Sequence, residues 1–298
     1  MTSKTLSGVI AAVATPIDEA GAPDLKRATG LARHLLDNGC DGLNVLGSTG
    51  EATSFARDER MAVMDAYKKN GLPLDRLMVG TGAASISDAI ALTRHAADLG
   101  FAGALVLPPF YYKGVPDDGL VNYIDALVKA TETSALPLYL YHYPQLTGIP
   151  WHVALIQRLR TAFPGRIVGL KDSSGDMAFA RSAAAVASDF AVFPSTEACL
   201  IEAKGGAFAG CISATANLNS DLCQRAWAAG DVSALDAAVA IRKLFDGRPL
   251  VPGVKTLLGH IHNDPALARV RPPLAAISPG DRQAILGGYD AIRAQRAA

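Results

Sequence analysis

The chain has 298 residues, half of them hydrophobic, which is enough to bury a large core in one α/β barrel or in two ordinary domains. Lys plus Arg and Asp plus Glu each total 28, so the formal charge is zero. A neutral chain gives no electrostatic reason to expect nucleic acid or an anionic membrane as a partner, and we expect neither.

The cysteines are widely spaced, at Cys40, Cys199, Cys211 and Cys223, and none forms a CxxC pair. This spacing fits neither a disulfide framework nor a metal site, and it favours reduced thiols. The start of the chain, Met1 to Ser7, is polar and lacks the apolar segment of a secretion signal. The apolar runs elsewhere are shorter than the ~20 residues of a membrane-spanning helix. We therefore expect a cytoplasmic protein.

Short apolar runs rich in β-branched residues recur along the chain, and each is followed by an Ala-rich stretch of helical period. Their continuous hydrophobicity is typical of parallel strands that are buried on both faces. Eight such runs, alternating with helices, predict an α/β protein with a closed (β/α)8 TIM barrel rather than a doubly wound open sheet. The predicted strands are Val9–Ala14, Gly42–Leu46, Leu77–Gly80, Ala104–Leu107, Leu138–His142, Ile167–Lys171, Phe190–Phe193 and Gly210–Ser213.

Helix boundaries are also readable from the sequence. Asp24–Asn38 ends at Gly39 and Ser87–Leu99 ends at Gly100, and glycine is typical of helix C-termini. No strand pattern follows Ser213, yet more helical stretches follow than the last barrel helix needs. We predict a barrel over residues 1–220 and a C-terminal helical appendage over 221–298 that includes the end of the last barrel helix. The helical stretches are Ser220–Gly230, Ser233–Asp246, Val254–Leu258 and Pro279–Gln295.

Catalytic side chains of such a barrel lie at the carboxyl ends of the strands. At these positions the sequence has many hydroxyl groups, several tyrosines and one lysine, Lys171. The clusters of carboxylates and imidazoles that a metal centre or a glycosidase needs are missing from these positions. We therefore expect no metal site.

Lys171 ends the apolar run Ile167–Leu170, where burial favours a neutral amine. A neutral amine is the nucleophile that condenses with a ketone to form a Schiff base. Many lysines at strand ends simply extend their charged group into solvent, so this residue alone leaves both interpretations open.

The segment Gly47–Gly50 places two hydroxyls between glycines on a strand-to-helix turn. Glycines let backbone N–H groups approach an anion, and the N-terminus of a following helix favours negative charge, so the segment is suited to a keto-acid carboxylate. An ordinary turn with a Ser or Thr cap has the same composition. The tyrosines near the strand ends are likewise suited either to proton transfer or to packing.

Four motifs follow one another in the chain: G-S-T-G-E at Gly47–Glu51, P-F-Y at Pro109–Tyr111, Y-H-Y-P-x-x-T-G at Tyr141–Gly148 and G-L-K-D at Gly169–Asp172. Together they resemble the dihydrodipicolinate synthase / N-acetylneuraminate lyase family of Schiff-base barrel aldolases, over nearly the whole chain. The resemblance implies that pyruvate forms a Schiff base with Lys171. Because the lysine adduct withdraws electrons, no metal or organic cofactor is needed.

The resemblance also implies roles for single residues. Tyr141 matches the tyrosine that transfers protons, and Ser48 matches the hydroxyl that links two tyrosines in a relay. Tyr111 matches the second relay tyrosine, which a neighbouring subunit supplies in this family, and Thr49 matches a ligand of the carboxylate. A homo-oligomer is implied, most often a tetramer of tight dimers. The other expected substrate-binding positions are Gly47, Gly210, Ile212, Ser213, Thr196 and Glu197.

Two positions depart from the specialised members of the family. The synthases carry arginine two residues after the proline of the Y-H-Y-P motif, where this chain has Leu146. The lyases that cleave sialic acid carry an acidic residue where this chain has Thr196. Both departures favour a different substrate, a 2-keto-3-deoxy sugar acid. The enzyme would cleave this acid to pyruvate and an aldehyde, or form it from them.

Other activities stay open at this point. A 2-keto-3-deoxy acid dehydratase would use the same lysine, and a 4-hydroxy-tetrahydrodipicolinate synthase is a further alternative. A keto-acid sensor has no need of a nucleophile, and a metal-dependent aldolase needs ligands that the sequence does not group, so both are disfavoured.

Overall fold

The computed structural model describes residues 5–297, with side chains to residue 296; Met1 to Lys4, within the polar start considered above, lie outside the described residues. Eight parallel strands form one sheet in chain order, and the first strand also pairs with the last. The strands are β1 (Gly8–Ala12), β2 (Gly42–Val45), β3 (Leu77–Gly80), β4 (Gly103–Val106), β5 (Leu138–His142), β6 (Ile167–Asp172), β7 (Ala191–Pro194) and β8 (Gly210–Ser213).

The sheet curves round until β7 and β8 are neighbours, where the N–H of Ala209 donates to the carbonyl of Val192 at 2.9 Å. This confirms the (β/α)8 TIM barrel and excludes the open doubly wound sheet. Strand β1 ends two residues earlier than predicted. Its continuation leaves the sheet because the N–H of Ala14 donates to the side chain of Asn217.

Helices alternate with the strands and continue beyond β8. Helix α11 is longer than predicted, because Pro252 lies in its first turn, where proline is tolerated. The helices are α1 (Leu25–Asp37), α2 (Arg57–Lys69), α3 (Ile86–Leu99), α4 (Asp117–Ala130), α5 (Pro144–Thr147), α6 (Val153–Ala162), α7 (Met177–Ala184), α8 (Leu200–Lys204), α9 (Ala216–Ala229), α10 (Val232–Lys243), α11 (Leu250–Ile261) and α12 (Pro279–Ala297), with short 3-10 helices at Ala52–Ser54, Leu74–Arg76, Glu197–Cys199 and Pro265–Ala268.

Two glycines make room for a tyrosine in the middle of the barrel. A Cβ at Gly103 or at Gly169 would lie 2.7 Å from the ring of Tyr139, which is closer than packed atoms approach. Gly169 therefore has a packing role within the G-L-K-D motif. Because side chains two residues apart on a strand share a face, Tyr139 and Gly169 lie one layer below Lys171 and support it.

The C-terminal helices contact the carboxyl ends of the first strands. Lys255 on α11 donates to the carbonyl of Thr15 at 3.0 Å and forms an ion pair with Glu51, which follows β2. The backbone N–H of Arg271 donates to the same carboxylate at 2.7 Å. The predicted appendage therefore lies against the end of the barrel where the catalytic side chains were expected.

The cysteines at positions 40, 199, 211 and 223 are buried and free, as their spacing predicted. Within residues 5–297, no helix combines the length and apolar character needed to cross a bilayer.

Candidate active site

A cavity of about 530 Å³ opens at the carboxyl ends of the strands. Side chains from separate strands meet in its wall, although they are far apart in the sequence. The structure brings together five of the residues singled out above, namely Lys171, Tyr141, Ser48, Thr49 and Ile212.

Lys171 and Tyr141 are both 3 % exposed, and the Nζ atom lies 4.4 Å from the centroid of the tyrosine ring. The hydroxyl of Tyr141 lies 3.3 Å from Oγ of Ser48. Burial pushes the pKa of Tyr141 upward, but the charge of Lys171 and hydrogen bonds with Ser48 and Ser173 outweigh burial and lower this pKa. A phenol that has a lowered pKa and lies beside an amine is suited to general acid–base catalysis.

The loop that follows β2, residues 46–51, is held in an uncommon conformation. Leu46 and Glu51 both have φ of 54°, the left-handed region that non-glycine residues rarely adopt. Within the described part of the chain, the backbone N–H groups of Ser48 and Thr49 donate to no other residue. They are therefore available to an anion in the cavity.

One expectation about this loop was wrong. The loop leads into the short 3-10 helix at Ala52–Ser54, and the next α-helix begins only at Arg57. Because a single 3-10 turn has almost no dipole, the loop offers N–H groups and hydroxyls to an anion without the help of a helix N-terminus.

The ion pair between Glu51 and Lys255 fixes the end of this loop. The two side chains are at most 1 % exposed. Burial lowers the pKa of Lys255, and the facing carboxylate of Glu51 opposes that shift. This pair attaches the loop to α11.

Lys255→Met should destabilise the protein by about 3–5 kcal/mol, because the carboxylate of Glu51 would stay buried without its counter-ion. The free energy of unfolding in urea measures this loss. The matched control is the double variant Glu51→Gln/Lys255→Met, which leaves no unpaired charge and should recover most of the stability. If the single and double variants proved equally stable, the ion pair would not be what holds the loop.

Several other expected binding residues lie away from the cavity. Gly210 begins β8, at the opposite end of the strand, and a Cβ there would lie 2.0 Å from the carbonyl oxygen of Gly8. Position 210 therefore requires glycine, because β1 and β8 are in close contact there. Gly47 lies behind the cavity wall, where a Cβ would be 2.9 Å from Oδ1 of Asn44. Neither placement supports the interpretation of these glycines as ligand-binding residues.

The polar residues after β7 form a buried cluster instead of a sugar-binding surface. Glu197 and Ser213 have no exposed area, and the hydroxyls of Ser213 and Thr215 donate to the carboxylate of Glu197. Thr196 caps the 3-10 helix by accepting from the N–H of Ala198 at 3.3 Å. The expectation that Thr196, Glu197 and Ser213 bind substrate hydroxyls is not supported by these contacts.

Tyr111 also lies outside the cavity of the single chain. It is 72 % exposed and packs edge to face against Tyr112, with ring centroids 5.3 Å apart. Its expected role depends on a second subunit and stays a prediction.

Comparison with known proteins identifies a family match over most of the chain. The sequence model of the dihydrodipicolinate synthetase family matches residues 5–287. The chain belongs to this family. Members of the family are carbon–carbon lyases, and this enzyme is one of them.

The chain is similar to other proteins in sequence and in structure over nearly their full length. It is 33 % identical over 293 residues to an uncharacterized DapA-like lyase from Chloroflexus aurantiacus, covering 96 % of this chain and 97 % of that one. Its structure is similar to that of dihydrodipicolinate synthase from Agrobacterium tumefaciens, with a TM-score of 0.89, 32 % identity, and coverage of 96 % and 99 %. It is also similar to YagE, a family member from E. coli K12 solved in complex with pyruvate, with a TM-score of 0.87, 25 % identity, and coverage of 97 % and 99 %.

The cavity of this family member also contains residues that the sequence did not single out as ligands. Arg242 reaches the wall from α10, and Ser173 and Ser195 follow β6 and β7. The two serines follow predicted strands and could have been included on that ground. Arg242 gave no comparable signal, because it is one of several charged residues on a C-terminal helix. The outer wall is apolar and includes Leu146, Leu250, Val251, Pro252 and Leu274.

Proposed function

We propose that this protein is a pyruvate-dependent Schiff-base aldolase that cleaves or forms a 2-keto-3-deoxy sugar acid. The observation that carries the proposal is the buried amine of Lys171 against the ring of Tyr141, whose hydroxyl lies 3.3 Å from Ser48. The unpartnered N–H groups of Ser48 and Thr49 support a keto-acid ligand, as does the pyruvate bound in the E. coli relative.

The residues perform cleavage in the following way. The amine of Lys171 attacks the C2 ketone, and Tyr141 gives its proton to the departing hydroxyl, so that water leaves, the iminium forms and Tyr141 becomes a phenolate. Ser48 and Thr49 hold the carboxylate. The C3–C4 bond then breaks, its electrons enter the iminium to give an enamine, and Tyr141 accepts the proton of the C4 hydroxyl as the aldehyde forms. Tyr141 returns the proton to C3, and water then hydrolyses the new iminium, which releases pyruvate and the free amine and gives the remaining proton back to Tyr141.

A product assay with a panel of 2-keto-3-deoxy acids tests the proposal. Pyruvate release reports carbon–carbon cleavage, whereas loss of water without pyruvate would identify a dehydratase that uses the same lysine. We expect release of pyruvate. Condensation of pyruvate with aspartate semialdehyde should have a lower kcat/KM than this cleavage, because Leu146 stands where the synthases have arginine. A faster semialdehyde reaction would instead identify a 4-hydroxy-tetrahydrodipicolinate synthase.

We also propose that the protein acts in the cytoplasm as a homotetramer of tight dimers. The exposed pair Tyr111 and Tyr112 supports an assembly in which this surface is covered. In such an assembly Tyr111 would reach the site of the partner subunit and extend the relay from Tyr141 and Ser48.

A further inference from the structure

Arg242 lies in the cavity wall but has no part in the chemistry proposed for Lys171 and Tyr141. Its Nη1 atom donates to Oε2 of Glu197 at 3.4 Å and to Oγ of Ser213 at 3.3 Å. Glu197 and Ser213 are fully buried. Their two hydrogen bonds therefore fix the Nη1 side of the guanidinium against the protein interior. Glu197 is thus a positioning residue for Arg242.

The other donors of Arg242 face no acceptor of the protein. Among residues 5–296, no hydrogen bond engages Nε or Nη2, and 30 % of the side chain is exposed. Nε and Nη2 form the planar fork that matches the two oxygens of a carboxylate. Elsewhere in this chain, Arg181 binds Glu202 in this way, with distances of 2.9 Å from Nε and 3.0 Å from Nη2.

Among the described residues, the rest of the cavity offers hydroxyls and apolar side chains but no other free cation for a second negative charge. Within the described part of its wall, Lys171 and Arg242 are the two cations, and the nitrogen of Lys171 is bonded to the keto-acid end of the substrate in the iminium. The carboxylate of the keto-acid unit is assigned to Ser48 and Thr49. The outer wall around Leu146 and Leu250 is apolar, and an apolar wall cannot replace the water that an anion loses on binding.

We infer that the preferred substrate carries a second carboxylate at the end remote from its keto group, and that Arg242 binds this carboxylate through Nε and Nη2. The inference rests on the proposed aldolase function and narrows its substrates to 2-keto-3-deoxy dicarboxylic acids. A terminal phosphate dianion fits less well, because no third cation lines the cavity within the described residues. Cleavage breaks the same C3–C4 bond and yields pyruvate and an aldehyde that retains the second carboxylate.

The test compares two 2-keto-3-deoxy acids of equal length, one ending in a carboxylate and the other in a primary alcohol, with pyruvate release as the readout. The wild type should favour the dicarboxylic acid by at least about tenfold in kcat/KM. Arg242→Gln should lower kcat/KM for the dicarboxylic acid by about 10–100-fold and for the alcohol by no more than a fewfold. Arg242→Lys should have a kcat/KM for the dicarboxylic acid between those of the wild type and Arg242→Gln, since lysine keeps the positive charge but lacks the planar fork.

Arg248→Gln is the matched control, because Arg248 pairs with Asp281 and does not line the cavity. It should keep the wild-type preference. An unchanged preference in Arg242→Gln, or a wild type that favours the alcohol or a terminal phosphate of equal length, would overturn the inference. Borohydride-trapped pyruvate on Lys171 without cleavage of either acid would overturn the inference together with the proposed cleavage of 2-keto-3-deoxy acids. Absence of both the trapped adduct and cleavage would instead overturn the proposed aldolase function.

Discussion

Lys171→Arg should abolish turnover and remove the pyruvate adduct that borohydride traps on the wild-type enzyme. A guanidinium stays protonated under all ordinary conditions and cannot attack a ketone, although it keeps the positive charge and much of the length of lysine. Loss of activity would therefore report on the nucleophile and not on the charge. Mass spectrometry of the reduced wild-type protein should place the adduct on Lys171.

Two comparisons make this result decisive. Lys204→Arg changes a lysine that lies outside the cavity and should leave both labelling and turnover unchanged. Lys255 is the rival nucleophile, because it is also buried, but its ammonium group is engaged by Glu51 and by the carbonyl of Thr15. An adduct on Lys255, or measurable turnover in Lys171→Arg, would refute the mechanism.

Tyr141→Phe should reduce kcat by about 10²–10⁴-fold and change the KM for the keto acid far less. The substitution keeps the ring beside Lys171 and removes only the hydroxyl that lies 3.3 Å from Ser48. Steady-state kinetics of cleavage give both constants, and the rate of borohydride trapping shows whether the Schiff base still forms.

Tyr139→Phe is the matched control, because it makes the same change two residues earlier on the same face of β5. The hydroxyl of Tyr139 accepts from the N–H of Leu6 at 3.3 Å and does not line the cavity. Its loss should leave kcat within a fewfold of the wild type. If the two variants were equally active, Tyr141 would be a packing residue like Tyr139.

The barrel could be predicted because each strand carries its own signal. Strands buried on both faces are continuously apolar, and the residues at their carboxyl ends must converge once the barrel closes. Convergence at the carboxyl ends is enough to place Lys171, Tyr141 and Ser48 around one cavity. The end of β1 was misjudged because Ala14 is bonded to a side chain from α9, more than 200 residues later.

The direction of side chains beyond the strand ends could not be predicted. Glu197 and Ser213 follow the strand pattern as closely as Lys171 does, yet they turn into a buried cluster. Arg242 and Lys255 come from helices whose position over the barrel is set by tertiary packing. The absence of arginine at Leu146 therefore does not leave the cavity without an arginine, since α10 supplies Arg242 to its wall.

The contact between α11 and the loop after β2 bears on how this chain could be divided. A boundary near residue 220 separates the barrel strands from the helices that follow, but it also separates Glu51 from its counter-ion and removes the arginine of the cavity wall. A fragment that kept all eight strands would retain Lys171 but lose the ion pair that fixes the loop after β2. We therefore expect the smallest active fragment of this protein to extend at least to Arg271, well beyond the last strand.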